Sequence, residues 1–229
     1  MTVDADPPAH DRAASPVRGR RVPAAVKLVA VAYSLLVVAG YWPHYGPANF
    51  LWFSNLSLFL LTLGLVLESP LLVSMPAVGV FLLETGWSAD LLARLATGRR
   101  ALGITDYLFD EIYPAWVRAI TLYHLALPPA LWWATGRLGY DRRAMAAWLG
   151  VAGASAAVVL AFTDPSRNVN RLWGLGASPQ ATVSRPVYLL AWGAIMILGF
   201  WWPTHALLRW ARPPASHAAP SVAARKGAS

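Results

Sequence analysis

Two ionisable side chains stand inside stretches that are otherwise apolar: Glu84 in VFLLETGWSADLL and His124 in RAITLYHLALPPALWW. A charge deep in a bilayer costs about 2.5–3.5 kcal/mol on insertion scales, so such a residue turns toward a bundle interior or a cavity. A carboxylate there can carry a proton, act as general acid or base, or serve as a ligand. Its alternative is structural, either buried or near enough to the interface to meet water. Imidazole is the side chain most often used as a general base. Its alternative is a hydrogen-bonded histidine beside a proline kink.

Arg118, Thr121, His124 and Pro128 fall at near-helical spacing, so one helix face carries them all. Pro128 and Pro129 have no N–H for the carbonyls of His124 and Leu125, four residues back. Inside a bundle those carbonyls need a neighbouring donor or water.

Further polar residues gather around the same depth. In NFLWFSNLSLF, Asn49, Trp52, Asn55 and Phe59 are spaced to share a stripe, with Ser54 and Ser57 flanking it. Such residues bind a substrate or hold helices together by hydrogen bonds. Asp90 lies nearer a helix end, where solvent explains it. The segment TDPSRNVNRLWGLG interrupts the apolar pattern with Asn168, Asn170 and three arginines close by, Arg167, Arg171 and Arg185. Its arginines and the backbone donors near Gly174 and Gly176 suit a lipid phosphate or another anion, or the loop is polar because it lies in water. The expectation is a structured cap, with Asn168 and Asn170 turned inward and Trp173 at the interface. The expected site is therefore His124 and Glu84 for chemistry, with Asn49, Asn55, Thr121, Asn168, Asn170 and Arg171 for binding. His44, in the first loop, and His205, near Arg209, are not included.

Several chemistries are excluded. The chain has no cysteine, hence no disulfide, thiolate metal site or cysteine nucleophile. A metal needs three or more convergent ligands; Glu84, His124, His44, Asp90 and Asp164 show no HxxxH or HExxH spacing, so no metal is expected. Asp164, Asn168 and Asn170 do not alternate as a calcium loop does. There is no GxSxG elbow for a serine nucleophile. The only lysines, Lys27 and Lys226, exclude a retinal-type Schiff base within the bundle. No cofactor is indicated.

The elements that must position these residues are membrane helices. Of the 229 residues, 57% are hydrophobic and 13% charged, about half the charge of a soluble domain. Apolar runs of eighteen or more match the bilayer core, roughly 30 Å thick. The net charge of +8 comes from arginines at the ends of those runs, with no basic, aromatic-interleaved face of a nucleic-acid module. The twelve tryptophans crowd toward segment ends, as interfacial belts require.

The pattern predicts an all-α, polytopic bundle of six spans at about 24–42, 50–68, 71–94, 116–135, 144–163 and 186–210. A basic, disordered tail at 1–23 precedes this domain (24–211), and a disordered tail at 212–229 follows it. Arg20 and Arg21 precede Val22–Pro23–Ala24, a poor twin-arginine match, so the first helix is expected to remain uncleaved. Twelve basic residues lie on one side and seven on the other, which places both termini in the cytoplasm. Six spans put the loops at 43–49, 95–115 and 164–185 on one common side. Residues 24–94 and 116–210 show no internal repeat, unlike inverted-repeat transporters.

The layout resembles a family of bacterial six-helix integral membrane proteins related to eukaryotic multi-pass phospholipid-remodelling acyltransferases. The resemblance rests on NFLWFSNLSLFLL, TLYHLALPPALWW and NVNRLWGLGASPQATVSRPVYLLAW, about a third of the chain. It implies that His124 matches the family's helix-borne histidine. The family's early helix carries a His–Leu–Cys-like stretch where this chain has Ser54–Asn55–Leu56, so thiol-based acyl transfer is not implied here.

These residues suggest a small enzyme of the cell membrane acting on a lipid or apolar substrate, with membrane lipids as partners. His124 would be the general base and Glu84 its orienting or acidic partner. A proton-coupled permease using both residues as a relay, or a non-catalytic subunit of a membrane complex, are the alternatives. Oligomeric state is left open.

Overall fold

The computed structural model describes residues 21–176, 179–212 and 214. The two expected tails lie almost wholly outside these residues. Among those described there is no strand, only one isolated bridge between Tyr140 and Pro214.

Helix α1 (Ala24–Tyr45) runs antiparallel to α2 (Phe53–Leu67). Lys27 Nζ donates to Glu68 Oε1 at 2.7 Å and to the Val66 carbonyl at 3.2 Å, tying the start of α1 to the end of α2. Along the same seam Ser34 and Thr62 hydroxyls meet at 2.8 Å. Glu68 adopts a left-handed conformation (φ 53°), and Ser69 then caps α3 (Pro70–Thr97). This hairpin is tight: a Cβ on Gly64 would stand 2.9 Å from the Val73 nitrogen.

α3 is the central post, packing against α2, α5 (Tyr123–Leu138), α6 (Ala144–Phe162) and the last helix. At 28 residues it is about 42 Å long, more than a hydrocarbon core requires. One of its two glycines marks a close approach to α6. A Cβ on Gly79 would lie 2.1 Å from the fully buried Trp148 ring of α6, and the Gly79 carbonyl accepts from Trp201 Nε1 at 2.9 Å.

Four helices are long and apolar enough to cross a membrane: Ala24–Tyr45, Pro70–Thr97, Ala144–Phe162 and Arg185–Ala211. The other two expected segments are helical but built differently. α2 has fifteen residues, because Pro47–Leu51 forms a separate 3₁₀ turn ahead of it. The segment at 116–135 divides into α4 (Ala115–Ile120) and α5. Between them Thr121, Leu122 and His124 donate to carbonyls three residues back rather than four, a tightened turn.

The last helix is α7 (Arg185–Ala194), a π-type stretch Ile195–Trp201 and α8 (Trp202–Ala211). Pro203 has no N–H for the Gly199 carbonyl, and the widened ladder directly precedes it. Tyr33, Tyr41 and Thr121 join α1 to the α4–α5 turn: Tyr33 donates to the Ile120 carbonyl at 2.7 Å, and the Tyr41 and Thr121 hydroxyls meet at 2.8 Å.

Candidate functional site: a buried histidine–glutamate pair

Glu84 and His124 meet in the core. Glu84 Oε2 lies 2.5 Å from His124 Nδ1, and both residues are under 10% exposed. α3 supplies the carboxylate from about the middle of its length. α5 supplies the imidazole from its first turn, directly after the tightened turn at Thr121–Leu122. A hydrogen bond at that separation needs one proton between the two atoms. With the proton on Nδ1, Nε2 keeps a lone pair and is the basic nitrogen. Among the described residues Nε2 has no hydrogen-bond partner in the protein.

Two aromatic rings fix the imidazole plane. Trp87 stacks on it at 4.7 Å between centroids and Tyr123 at 4.3 Å, each tilted by 25°. The His124 carbonyl, released by Pro128, has Ser88 Oγ at 3.5 Å, so α3 contributes a donor on that side as well.

The two stacked rings carry hydrogen bonds of their own outward from the pair. Tyr123 donates to Asn55 Oδ1 at 2.7 Å, and Asn55 Nδ2 donates to the Asn49 carbonyl at 2.7 Å. On the other side Trp87 Nε1 donates to the Tyr107 hydroxyl at 3.1 Å. Tyr107 belongs to a connection held by Asp90, whose carboxylate accepts from the backbone N–H groups of Leu102, Gly103 and Thr105 and from the Thr105 hydroxyl, at 2.6–3.2 Å. Asp106 ties the same connection to Arg94, and to Arg100 at 2.6 Å. Asp90 is thus explained by these donors rather than by solvent, since it is 2% exposed.

The expected binding residues divide. Asn55 reaches His124 only through the Tyr123 ring, and Thr121 is engaged by Tyr41. Asn49 does not share a helix stripe with Asn55, because it lies in the 3₁₀ turn before α2; its contribution is its carbonyl. Asn168 and Asn170 are buried, in left-handed conformations, and both amides are taken by backbone. Asn170 accepts from Phe53 N and donates to the Leu51 carbonyl, both at 2.9 Å, capping α2. Asn168 accepts from Trp173 N at 3.0 Å and donates to the Gly174 carbonyl at 2.7 Å. Arg171 donates to the Gly176 carbonyl at 3.3 Å. Among the described residues none of these three hydrogen-bonds to Glu84, His124, Tyr123 or Asn55. The segment is an ordered plug, with Trp173 under the Arg185 guanidinium at 3.7 Å.

Tyr107 and Tyr123 escaped sequence reasoning. Tyr123 sits beside His124 in the chain, and a helical neighbour usually points elsewhere; Tyr107 lies in a connection with no periodic pattern. No group of three or more histidines and carboxylates suited to a metal occurs among the described residues. Comparisons with protein families, with curated proteins and with solved structures find no match.

Proposed function

We propose that this chain is a multi-pass protein of the cell membrane, crossing six times with both termini in the cytoplasm, and that it catalyses a proton-transfer-dependent reaction on a lipid or another apolar substrate. The observation that carries this reading is the 2.5 Å contact from Glu84 Oε2 to His124 Nδ1. Glu84 orients the ring and stabilises the imidazolium that forms when Nε2 takes a proton, the arrangement general-base catalysis requires. The apolar surroundings strengthen that interaction relative to water. Supporting the six crossings are the helical segments at α2 and at α4–α5, in addition to the four long helices, and the excess of basic residues on the side of the termini. The sequence resemblance to proteins related to lipid-remodelling acyltransferases agrees with a lipid substrate.

A second reading has its own observation. Tyr123, stacked on the His124 ring, donates to Asn55, and Asn55 donates to the Asn49 carbonyl; this polar line toward the start of α2 is what a permease reading would draw on. Reconstitution into vesicles of phosphatidylethanolamine and phosphatidylglycerol separates the two. The enzyme reading predicts a change in lipid composition by mass spectrometry and no proton flux reported by a trapped pH dye. Flux without lipid conversion assigns the pair to a relay.

A further inference from the structure

The far end of the bundle from the Glu84–His124 pair carries a second polar feature. A cleft of about 340 Å³ opens between the connection before α6 and the last helix, lined by Arg142, Trp202, His205, Ala206, Arg209 and Trp210. Arg142 and Arg209 are both exposed. Among the described residues neither lies within salt-bridge distance of a carboxylate, whereas the neighbouring Arg143 does, at 2.8 Å from Asp141. Two uncompensated guanidinium groups facing one concavity repel each other, and an anion between them removes that cost.

The third polar wall is oriented. Tyr140 is 2% exposed, and its hydroxyl lies 2.5 Å from His205 Nδ1. Burial raises the Tyr140 hydroxyl well above its ordinary value, so it stays protonated and can donate to Nδ1. The remaining imidazole proton then sits on Nε2, leaving that nitrogen as an N–H donor. Trp202 and Trp210, 59% and 85% exposed, flank these groups with apolar ring surface suited to the headgroup level of a membrane.

We infer that this cleft binds a phosphate group, held by Arg142, Arg209 and His205, with Tyr140 positioning the histidine. Two sources carry that chemistry, an anionic phospholipid headgroup and free inorganic phosphate. The two exposed tryptophans favour the lipid, since a small aqueous anion needs no apolar flanks. On the orientation read from the basic residues, the cleft faces the cytoplasmic leaflet, which holds anionic lipid. The inference stands apart from the chemistry proposed for Glu84 and His124.

The test is native mass spectrometry of the full-length protein exchanged into detergent with equimolar phosphatidylglycerol and phosphatidylcholine. The wild-type protein should retain phosphatidylglycerol in preference, and Arg142→Gln/Arg209→Gln should reduce that preference on the order of tenfold, as two basic side chains acting on one anionic headgroup imply. Arg99→Gln/Arg100→Gln, the same charge loss beyond the opposite end of α3, should leave it unchanged. Titration with inorganic phosphate decides the source: no displacement of phosphatidylglycerol identifies the lipid, and displacement at equal concentration identifies the free anion. Equal retention of both lipids by the wild-type protein, with no effect of phosphate, overturns the inference. So does a preference that Arg142→Gln/Arg209→Gln leaves intact or that the Arg99 and Arg100 variant removes equally. Both arginines in the cleft are exposed, and thermal unfolding of each variant confirms that the fold is retained.

Discussion

Glu84 Oε2 and His124 Nδ1 lie 2.5 Å apart, although forty positions separate them in the chain. The contact joins the central helix α3 to α5, the helix it packs against most extensively, so it couples the proposed chemistry to the core of the fold.

Removing one member of this pair should therefore be costly. Glu84→Ala leaves the imidazole between Trp87 and Tyr123 with no acceptor for Nδ1, and breaking a buried pair in this way costs about 3–5 kcal/mol. Glu84→Gln keeps an amide oxygen that can accept the same proton and should lose clearly less. Thermal unfolding in a fixed detergent checks the order wild type, Glu84→Gln, Glu84→Ala. Equal stability of the two variants would show that the hydrogen bond contributes little.

Asp90 holds the connection that brings Tyr107 to Trp87. Its carboxylate accepts four donors, and Asp90→Asn turns one acceptor into a donor facing the Thr105 or Leu102 side. Leaving buried donors unmet costs about 1–3 kcal/mol. Hydrogen exchange at the Leu102, Gly103 and Thr105 amides should accelerate in the variant while α1 and α6 stay protected.

Glu68 gives a pH dependence with a defined sign. Its hydrogen bond with Lys27 lowers the carboxyl from its ordinary value of 4.5; partial desolvation opposes this, while the Lys27 charge, the Val22 N–H and the Arg21 charge act in the same downward direction. A group with a depressed folded-state value stabilises the fold above its unfolded value and loses that contribution as pH falls through the folded one. The stability advantage of wild type over Glu68→Gln should be present at neutral pH and vanish in acid. An advantage that grows on acidification would contradict the assignment. The pair is partly exposed, so the effect is also weakened by salt.

The sequence already located the helical segments and pointed the two ionisable residues inward, because apolar helix length and the cost of a buried charge act on local sequence. It said nothing of helix rotation, which decides whether Glu84 and His124 face each other. It also placed Asn49 on the α2 stripe, since a 3₁₀ turn and an α-helix share nearly the same spacing over one turn. The role of Asn170 was hidden for a different reason. Its partners, Leu51 and Phe53, are more than a hundred positions away, and a left-handed asparagine that caps a distant helix leaves no periodic trace. Asp90 reads as a solvent-facing residue at a helix end until the connection after α3 folds back over it.

The most direct test of the proposed function is the lipid composition of phosphatidylethanolamine–phosphatidylglycerol vesicles containing wild-type protein or His124→Ala at matched amounts of folded protein. Wild type should convert lipid over time, and His124→Ala should reduce the rate by about a hundredfold or more, the usual contribution of a positioned general base. Conversion at the same rate by both proteins would contradict the proposed role of His124.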